Sequence, residues 1–543
     1  MSRHLVADKR ELADGAMKQV TAGNTEVLLV QLRGQVHALY AHCTHYGAPL
    51  AEGILSGSRL VCPWHHACFS IETGNLLEPP ALDALPRFDV MVDGDDVWVE
   101  LPEADRVSKT RTSEMATPDT SDPRVFVVLG AGAAGAAAVE TLRQDGFRGR
   151  VVLVTQEDDL PYDRTLLSKD YLSEGKTMGW IPLRERAFFE THGIEVRTGH
   201  QVTRLDTAGQ TLTFQDRSSL HYDKLLLATG STPVPLEVPG TELDGVMYLR
   251  TFGDGQMLLE RAKEGDRVVV VGSSFIGMEC ASSLTERGLA VTVVTPDAVP
   301  FERLLGDEVG GMFKVLHEEN GVTFAFSSRV AQIVGEERVA AVVLDDGRTL
   351  DADLVVIGIG VKPATNWLEG MAKSEDGSVT VDRFLRLGND HGRLYAAGDL
   401  ARYPDPVSGE RIRVEHWRLA MQHGRTAAHN MAGRDVPFGG VPLFWTKQHG
   451  VGLRYVGHAP EWDEVVIDGN LEERDFLAYY FKGDRVLAVL GAQRDAELCV
   501  IEECMRLNEM PGAGEIRDHS VDWQAQFALT LGTVSESAFE NEL

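Results

Sequence analysis

Two short stretches each place a cysteine and a histidine close together: Cys43 and His45 in AHCTHYGAPL, and Cys62 and His65 in RLVCPWHHACFS. Soft thiolates and neutral imidazoles can hold a [2Fe–2S] cluster in which one iron takes two cysteines and the other two histidines. Two loops that each donate one of each kind supply that set. Gly47 and Pro63 sit beside the ligands, where the loops must be tight. Zinc accepts the same four donors, but zinc fingers usually keep both cysteines in one half and both histidines in the other. The mixed pairs therefore favour the cluster, with Cys43, His45, Cys62 and His65 as ligands. His42 and His66 neighbour the ligands but fall off the pattern, and read as exposed or supporting groups.

A second kind of chemistry is written in glycines. After the strand-like RVFVVL come Gly130, Gly132 and Gly135 as G-x-G-x-x-G, with Ala134 inside the turn, then a helical stretch and VVLVT. In such a unit the first glycine permits the tight turn, the second lets a pyrophosphate approach, and the third lets helix pack on strand. The helix N-terminus offers amides and a dipole to the phosphates. An acid near the end of the second strand should hold the ribose; Gln156 and Glu157 compete for that place. DRVVVVGSSFIGMECASSL repeats the unit, with Gly272 and Gly277 outermost, Ser274 in the middle position and Ile276 within the turn. Its ribose-side residue is Thr295, neither the acid that selects NADH nor an arginine for a 2′-phosphate. Asp297 tilts the reading towards NADH, with Arg303 also within reach. Two dinucleotide sites in one chain are implied.

Other chemistry is missing. No C-x-x-C occurs, and no Ser/His/Asp pattern, Walker pattern or carboxylate-held mononuclear iron stands out. Cys499 and Cys504 are five residues apart and fall on different faces of a helical pattern. With Cys68 and Cys280 they read as packing residues.

These motifs need elements to hold them. A chain of 543 residues suggests three or four domains, and 43% hydrophobic residues can fill several cores. Six cysteines in so long a chain argue against a disulfide scaffold. A net charge of -30 repels phosphate backbones and anionic lipid, so neither nucleic acid nor membrane is an expected partner. The most apolar stretch, Val125 to Val139, is too short for a membrane span, and the first residues lack a secretory apolar core. A cytoplasmic protein is expected. Residues 1–105 are rich in short β-type stretches such as EVLLVQL and DVWVEL, separated by turn residues, an all-β pattern. Residues 106–122 are rich in Ser, Thr, Pro and charge, a linker composition that would let the first module swing. Beyond it strands alternate with helices, as in wound α/β sheets. From residue 438 hairpin strands and a helix suggest an α+β domain.

The paired loops resemble those of Rieske-type ferredoxins. High-potential members carry an extra cysteine in each loop, where Ala48 and Trp64 stand here, and hydroxyls where Ala67 and Phe69 stand. The resemblance therefore implies a low-potential cluster. The remainder resembles the flavoprotein family containing ferredoxin reductases and apoptosis-inducing factor. DLPYDRTLLSK carries Arg164 and Lys169, KLLLATGSTP carries Ala228, Thr229 and Gly230, and LYAAGDL carries Asp399. VEHWRLAMQHG carries His416 and Trp417, and PLFWTKQHG carries Trp445. The resemblance implies that these residues contact FAD, Asp399 at the ribityl chain and the aromatic residues near the ring, with Val202 meeting the adenine through its backbone. IGIGVKP, with Gly358 and Gly360, resembles the loop that brings nicotinamide to the flavin. Glu279 matches the glutamate that pairs with Lys169. A cation there could stabilise charge developing on the flavin, although such pairs also occur as plain structural ones. Phrases such as PFERLLG and LRYVGH extend the resemblance to the Rieske-bearing, apoptosis-inducing-factor-like flavoproteins, fading near the C-terminus.

The expected fold is multidomain. An N-terminal all-β Rieske [2Fe–2S] domain (1–105) and linker (106–122) precede two Rossmann-like α/β nucleotide-binding domains. FAD binds the first (123–245 and 365–437), NAD(P) the second (246–364), and an α+β reductase domain (438–543) closes the chain. The expected activity takes electrons from NAD(P)H, with NADH favoured, through FAD to the cluster and on to an unidentified acceptor such as a redox protein. The alternatives are an NADH-gated sensor or scaffold, and the ferredoxin reductase component of an oxygenase system. A monomer or homodimer is expected.

Overall fold

The apolar run 27–30, buried on both faces, and residues 38–40 opposite it draw Thr25–Leu32 and Gln35–Tyr40 into an antiparallel hairpin whose turn, Arg33 and Gly34, has positive φ at both positions. Such turns match the right-handed twist of the strands they join. In the computed structural model, which describes residues 2–103, 107–175, 179–388 and 392–533, the hairpin lies in a six-stranded sheet. A second sheet of four short strands includes Arg59–Val61 and Cys68–Ser70. The second cysteine–histidine loop joins those two; the first follows Gln35–Tyr40.

Val125–Leu129 lies at the centre of a five-stranded parallel sheet, between Arg150–Val154 and Lys224–Leu227. Its central strands are almost wholly apolar, as strands covered on both faces must be. Its last strand, Leu394–Ala396, arrives from far along the chain. Between the two parts sits a second parallel sheet in the order Val246–Tyr248, Leu354–Ile357, Arg267–Val271, Ala290–Val294, Thr323–Ala325. The helices Ala133–Gln144 and Trp417–Ala432 pack closely on each other beside the first sheet: a Cβ at Gly424 would lie 2.0 Å from the carbonyl oxygen of Ala134. The last sheet is antiparallel, five-stranded, and begins with the hairpin Leu443–Gln448 and Val451–Gly457. The helix Asp495–Leu507 leans on it, and the helix Trp523–Thr533 covers that helix in turn through buried Trp523 and Thr530. All six cysteines are buried and unpaired. Among the described residues no helix is long and apolar enough to cross a membrane.

The structure differs from the sequence reading at the linker. Its described part, 107–122, runs along the surface instead of hanging free. Arg111 forms an antiparallel bridge with Ala84, and the amides of Ala116 and Asp119 donate to the carbonyls of Arg143 and Arg148 at 2.8 Å. The β module is seated on the rest of the chain: Ile54, Val61 and Cys68 share one apolar cluster with Leu498, Cys499, Ile501 and Cys504. Composition registers the polarity of a tether, but its path is set by backbone hydrogen bonds, which leave no compositional mark.

Candidate functional site

The two cysteine–histidine loops are built alike. Cys43 N–H donates to Ala48 O at 2.9 Å and Gly47 N–H to Cys43 O at 3.0 Å; Cys62 N–H donates to Ala67 O at 2.9 Å and His66 N–H to Cys62 O at 3.1 Å. Each fold-back needs a positive φ, met by Gly47 (78°) in one loop and by His66 (55°) in the other. The loops face each other with thiol against thiol and imidazole against imidazole. The Cys43 and Cys62 thiols are hydrogen-bonded, and His45 Nδ1 lies 3.2 Å from His65 Nδ1. Backbone amides of His45, Tyr46, Trp64 and His65 point at the two sulphurs. Burial holds His45 at about 4 and His65 well below the usual imidazole range, so both rings are in the neutral, ligating form. Among the described residues no three His, Cys, Asp or Glu side chains converge on one point. Two separate pairs suit two irons with two donors each better than one tetrahedral zinc.

Between the two parallel sheets lies a cavity of about 1070 Å³. Gly130, Gly132, Ala134, Gln156, Glu157, Arg164, Lys169, Val202, Ala228, Thr229, Gly230, Asp399, His416, Trp417 and Trp445 line it. On the other side stand Ser274, Ile276, Glu279, Gly358 and Gly360. Gly135, Gly272 and Gly277 are not in the wall but hold it together. A Cβ would meet backbone oxygen at 1.8 Å on Gly135, 2.4 Å on Gly272 and 2.2 Å on Gly277. At Gly132, by contrast, a Cβ would have no neighbour within 4 Å and would project into open space, as a pyrophosphate cradle requires. His416 adds a buried Nδ1 with no partner in the protein, and burial holds this ring at about 3. A dinucleotide carrying a flavin fits these features. Gly132→Val is expected to fold normally and to weaken FAD binding by about 1–3 kcal/mol through overpacking, read as lost yellow colour after dialysis.

Glu157 accepts from Tyr162 Oη at 2.6 Å and from Arg164 at 2.7 Å, so it is already engaged beside Gln156. Asp399 accepts from Ser231 Oγ at 2.6 Å and Arg250 at 3.1 Å. Thr295 lies outside the cavity wall: it is buried, with Oγ1 at 2.8 Å from Ser273 Oγ, and cannot present itself to a ribose without moving. Asp297 and Arg303 beyond it form an ion pair at 3.3 Å. Lys169 Nζ donates to Glu279 at 2.8 Å, and the two side chains are only 13% and 4% exposed. Trp445 joins the two centres. It lines the cavity, and its ring centre lies 4.5 Å from that of His65 and 6.1 Å from that of His45.

Sequence reading missed the groups that seat one centre on the other. His66 is fully buried, and its Nδ1 is bonded to Glu502. Arg418 donates to Glu502 at 2.6 Å, to His66 O at 3.1 Å and to Pro79 O at 3.0 Å. Arg454 reaches Trp64 O at 3.0 Å, and Cys499 Sγ reaches Cys62 O at 3.6 Å. Three of the six carbonyls of the second ligand loop, those of Cys62, Trp64 and His66, are thus clamped by the C-terminal half of the chain. The one trace in the sequence is that His66 stands where the first loop has Gly47.

Burial alone would raise the Glu502 carboxyl; Arg418 and then His66 outweigh it and hold it at about 2 instead of 4.5. A carboxyl lowered on folding contributes stability above its unfolded value and loses it as the folded value is approached. Urea midpoints should therefore fall as pH drops from 4.5 towards about 2, and fall less in Glu502→Gln.

Comparison with known proteins gives three family matches: Rieske [2Fe-2S] domain over residues 2–89, Pyridine nucleotide-disulphide oxidoreductase over 124–424, and Reductase C-terminal over 443–526. Human apoptosis-inducing factor 3 is 39% identical over 92% of this chain and 83% of its own length. Rhodocoxin reductase of Rhodococcus erythropolis is 35% identical over 71% of this chain and 90% of its own. Among solved structures, the covalent putidaredoxin reductase–putidaredoxin complex superposes with a TM-score of 0.71 at 28% identity, covering 75% of this chain and 99% of that one.

Proposed function

The chain belongs to the pyridine nucleotide-disulphide oxidoreductase family, with a Rieske domain ahead of it, and on that premise we propose that its own cluster is the acceptor to which the flavin passes electrons taken from NAD(P)H. When bound, FAD takes two electrons as hydride and the Rieske cluster accepts them one at a time. Cys43, His45, Cys62 and His65 hold the cluster. The Gly130–Gly135 turn, Arg164 and Asp399 hold FAD, while Ser274, Ile276, Gly358 and Gly360 receive the nicotinamide nucleotide, NADH in preference. Lys169 brings positive charge to the flavin side of the cavity, and Glu279 orients it.

The observation that carries this reading is Trp445, which shares one wall with the flavin cavity and touches the imidazoles of the cluster loops. With the Rieske domain seated, that contact lies within one chain, and so does the transfer. The acceptor beyond the cluster is a small redox protein, the class that the names of several relatives state. Anaerobic stopped-flow with NADH tests the reading. Flavin bleaching should be followed by the EPR signal of a reduced cluster, at a rate independent of protein concentration. A cluster that stays oxidised while the flavin bleaches sinks it.

A further inference from the structure

Nothing in the reaction so far uses His317, Gln448 or His449, yet all three are linked in one buried row to Glu279. Glu279 Oε2 accepts from Ser168 Oγ at 2.5 Å and Lys169 Nζ at 2.8 Å, and Oε1 accepts from Thr446 Oγ1 at 2.7 Å. Gln448 Nε2 lies 3.0 Å from Thr446 Oγ1, and Gln448 Oε1 lies 2.8 Å from His317 Nε2. His317 Nδ1 lies 3.2 Å from His449 Nε2.

Only one sense of this row gives the carboxylate its donor. A carboxylate only accepts, so Thr446 must donate to it. Thr446 can then only accept from the Gln448 amide, which turns the amide oxygen to His317. His317 must carry its proton on Nε2, and its bare Nδ1 takes the Nε2–H of His449. All donors point one way, from the far end towards Glu279. The far end is built for this. His449 and Gly450 form the two-residue hairpin turn, with φ of 47° and 79°. Asn-Gly is the usual choice there. Here a histidine takes the left-handed position, turns inward until its side chain is 2% exposed, and meets His317 ring to ring at 4.6 Å. Its backbone amide is held by Ser282 Oγ at 2.8 Å. Glu286, the carboxylate beyond it, stands 3.9 Å from His449 Nδ1, outside hydrogen-bonding range. Burial holds His317 at about 3 and His449 at about 4, so each ring offers one donor and one acceptor.

We propose that His317 and His449 are positioning residues for the Lys169–Glu279 pair, acting through Gln448 and Thr446 to fix the sense of the row. In the reverse sense Gln448 would present its oxygen to Thr446, Thr446 would donate to it, and Glu279 Oε1 would lose its donor. A carboxylate with one oxygen unheld would no longer fix the ammonium of Lys169 at the cavity wall. This inference rests on the role proposed above for that pair.

The first test needs no turnover. Long-range ¹H–¹⁵N correlation on oxidised holoprotein labelled with ¹⁵N-histidine reads the tautomers, with His449→Asn, the ordinary turn residue, serving for assignment. Both His317 and His449 should be Nε2–H, and Nδ1–H at either position overturns the proposal. In His449→Asn the Nδ1–H form of His317 should become populated. Flavin reduction by NADH should slow about tenfold in His317→Leu, the effect of losing one hydrogen bond to a charged group, while His317→Gln, which keeps a donor and an acceptor, stays near wild type. The flavin midpoint potential should fall in His317→Leu and His449→Asn alike. A potential and rate unchanged in both variants overturn the proposal, and His449→Asn alone decides it if His317→Leu does not fold. Failure of the underlying reading looks different: Lys169→Met would then leave the rate unchanged while both tautomers remain Nε2–H.

Discussion

Arg418→Leu is expected to unseat the Rieske domain, destabilising the chain by about 3–5 kcal/mol, the usual effect of stranding one member of a buried ion pair. Arg418 is 3% exposed and ties together three parts of the chain: Pro79 and His66 by their carbonyls and Glu502 by its carboxylate. Its loss leaves the Glu502 carboxylate buried with one fewer cation, with His66 still bonded to one oxygen and Arg59 nearby. Urea unfolding should register the destabilisation, and flavin-to-cluster transfer should slow because Trp445 and His65 no longer hold contact. The exposed Lys482–Glu461 pair is the control. Breaking it should change nothing measurable, since exposed pairs contribute little. A second variant separates charge from packing. Replacing Arg418 and Glu502 together by leucine removes the stranded charge and should recover part of the lost stability, because apolar replacement of a whole buried pair is often neutral or better. An Arg418→Leu protein with wild-type stability and wild-type transfer would show that the apolar contacts around Cys68 seat the domain unaided.

The cluster loops and both glycine turns were legible because their chemistry is local. Cys43 with His45, Cys62 with His65, and Gly130 with Gly135 each sit within a few residues, at spacings that the metal or the helix dictates. The seating network was not legible, since His66 and Glu502 are 436 residues apart. Neither belongs to a periodic pattern, and each alone reads as an ordinary polar residue. The same holds for His317 and Gln448, 131 residues apart on a helix and a strand that meet only in the fold. Thr295 illustrates a subtler gap. Its place at the end of a strand suggests a ribose contact, yet Ser273, set in the preceding turn, draws its hydroxyl inward. A side chain's direction depends on which neighbour supplies the better hydrogen bond, and that neighbour is identified only once the turn and strand are placed. The polar linker misleads for a related reason. Its side chains favour water, while its backbone amides find carbonyls on the surface they cross.

Lys169→Met should slow flavin reduction by NADH about 10²–10³-fold, the range seen when one preorganised group aimed at developing charge is removed. The substitution keeps the length of the side chain and removes its charge. The pair is shielded from bulk solvent, with Glu279 4% exposed and Lys169 13% exposed, so the ammonium acts with less screening than at the surface. Ser168 and Thr446 still donate to Glu279 in the variant, so the carboxylate keeps two of its three partners and the fold should survive. On the assignment proposed above, with Lys169 at the flavin and the nucleotide at the second glycine turn, the effect should appear in the rate constant for flavin bleaching and not in NADH affinity. On the proposed route through Trp445, flavin-to-cluster transfer is read separately after the flavin has been reduced by other means, since the Lys169 charge also acts on His65. A structural pair would give the opposite pattern, with lowered stability and an unaltered bleaching rate. Measuring both in Lys169→Met and Lys169→Arg decides between them, since arginine restores the charge but places it on a longer, planar group that cannot sit between Thr165 O and Glu279 as the ammonium does.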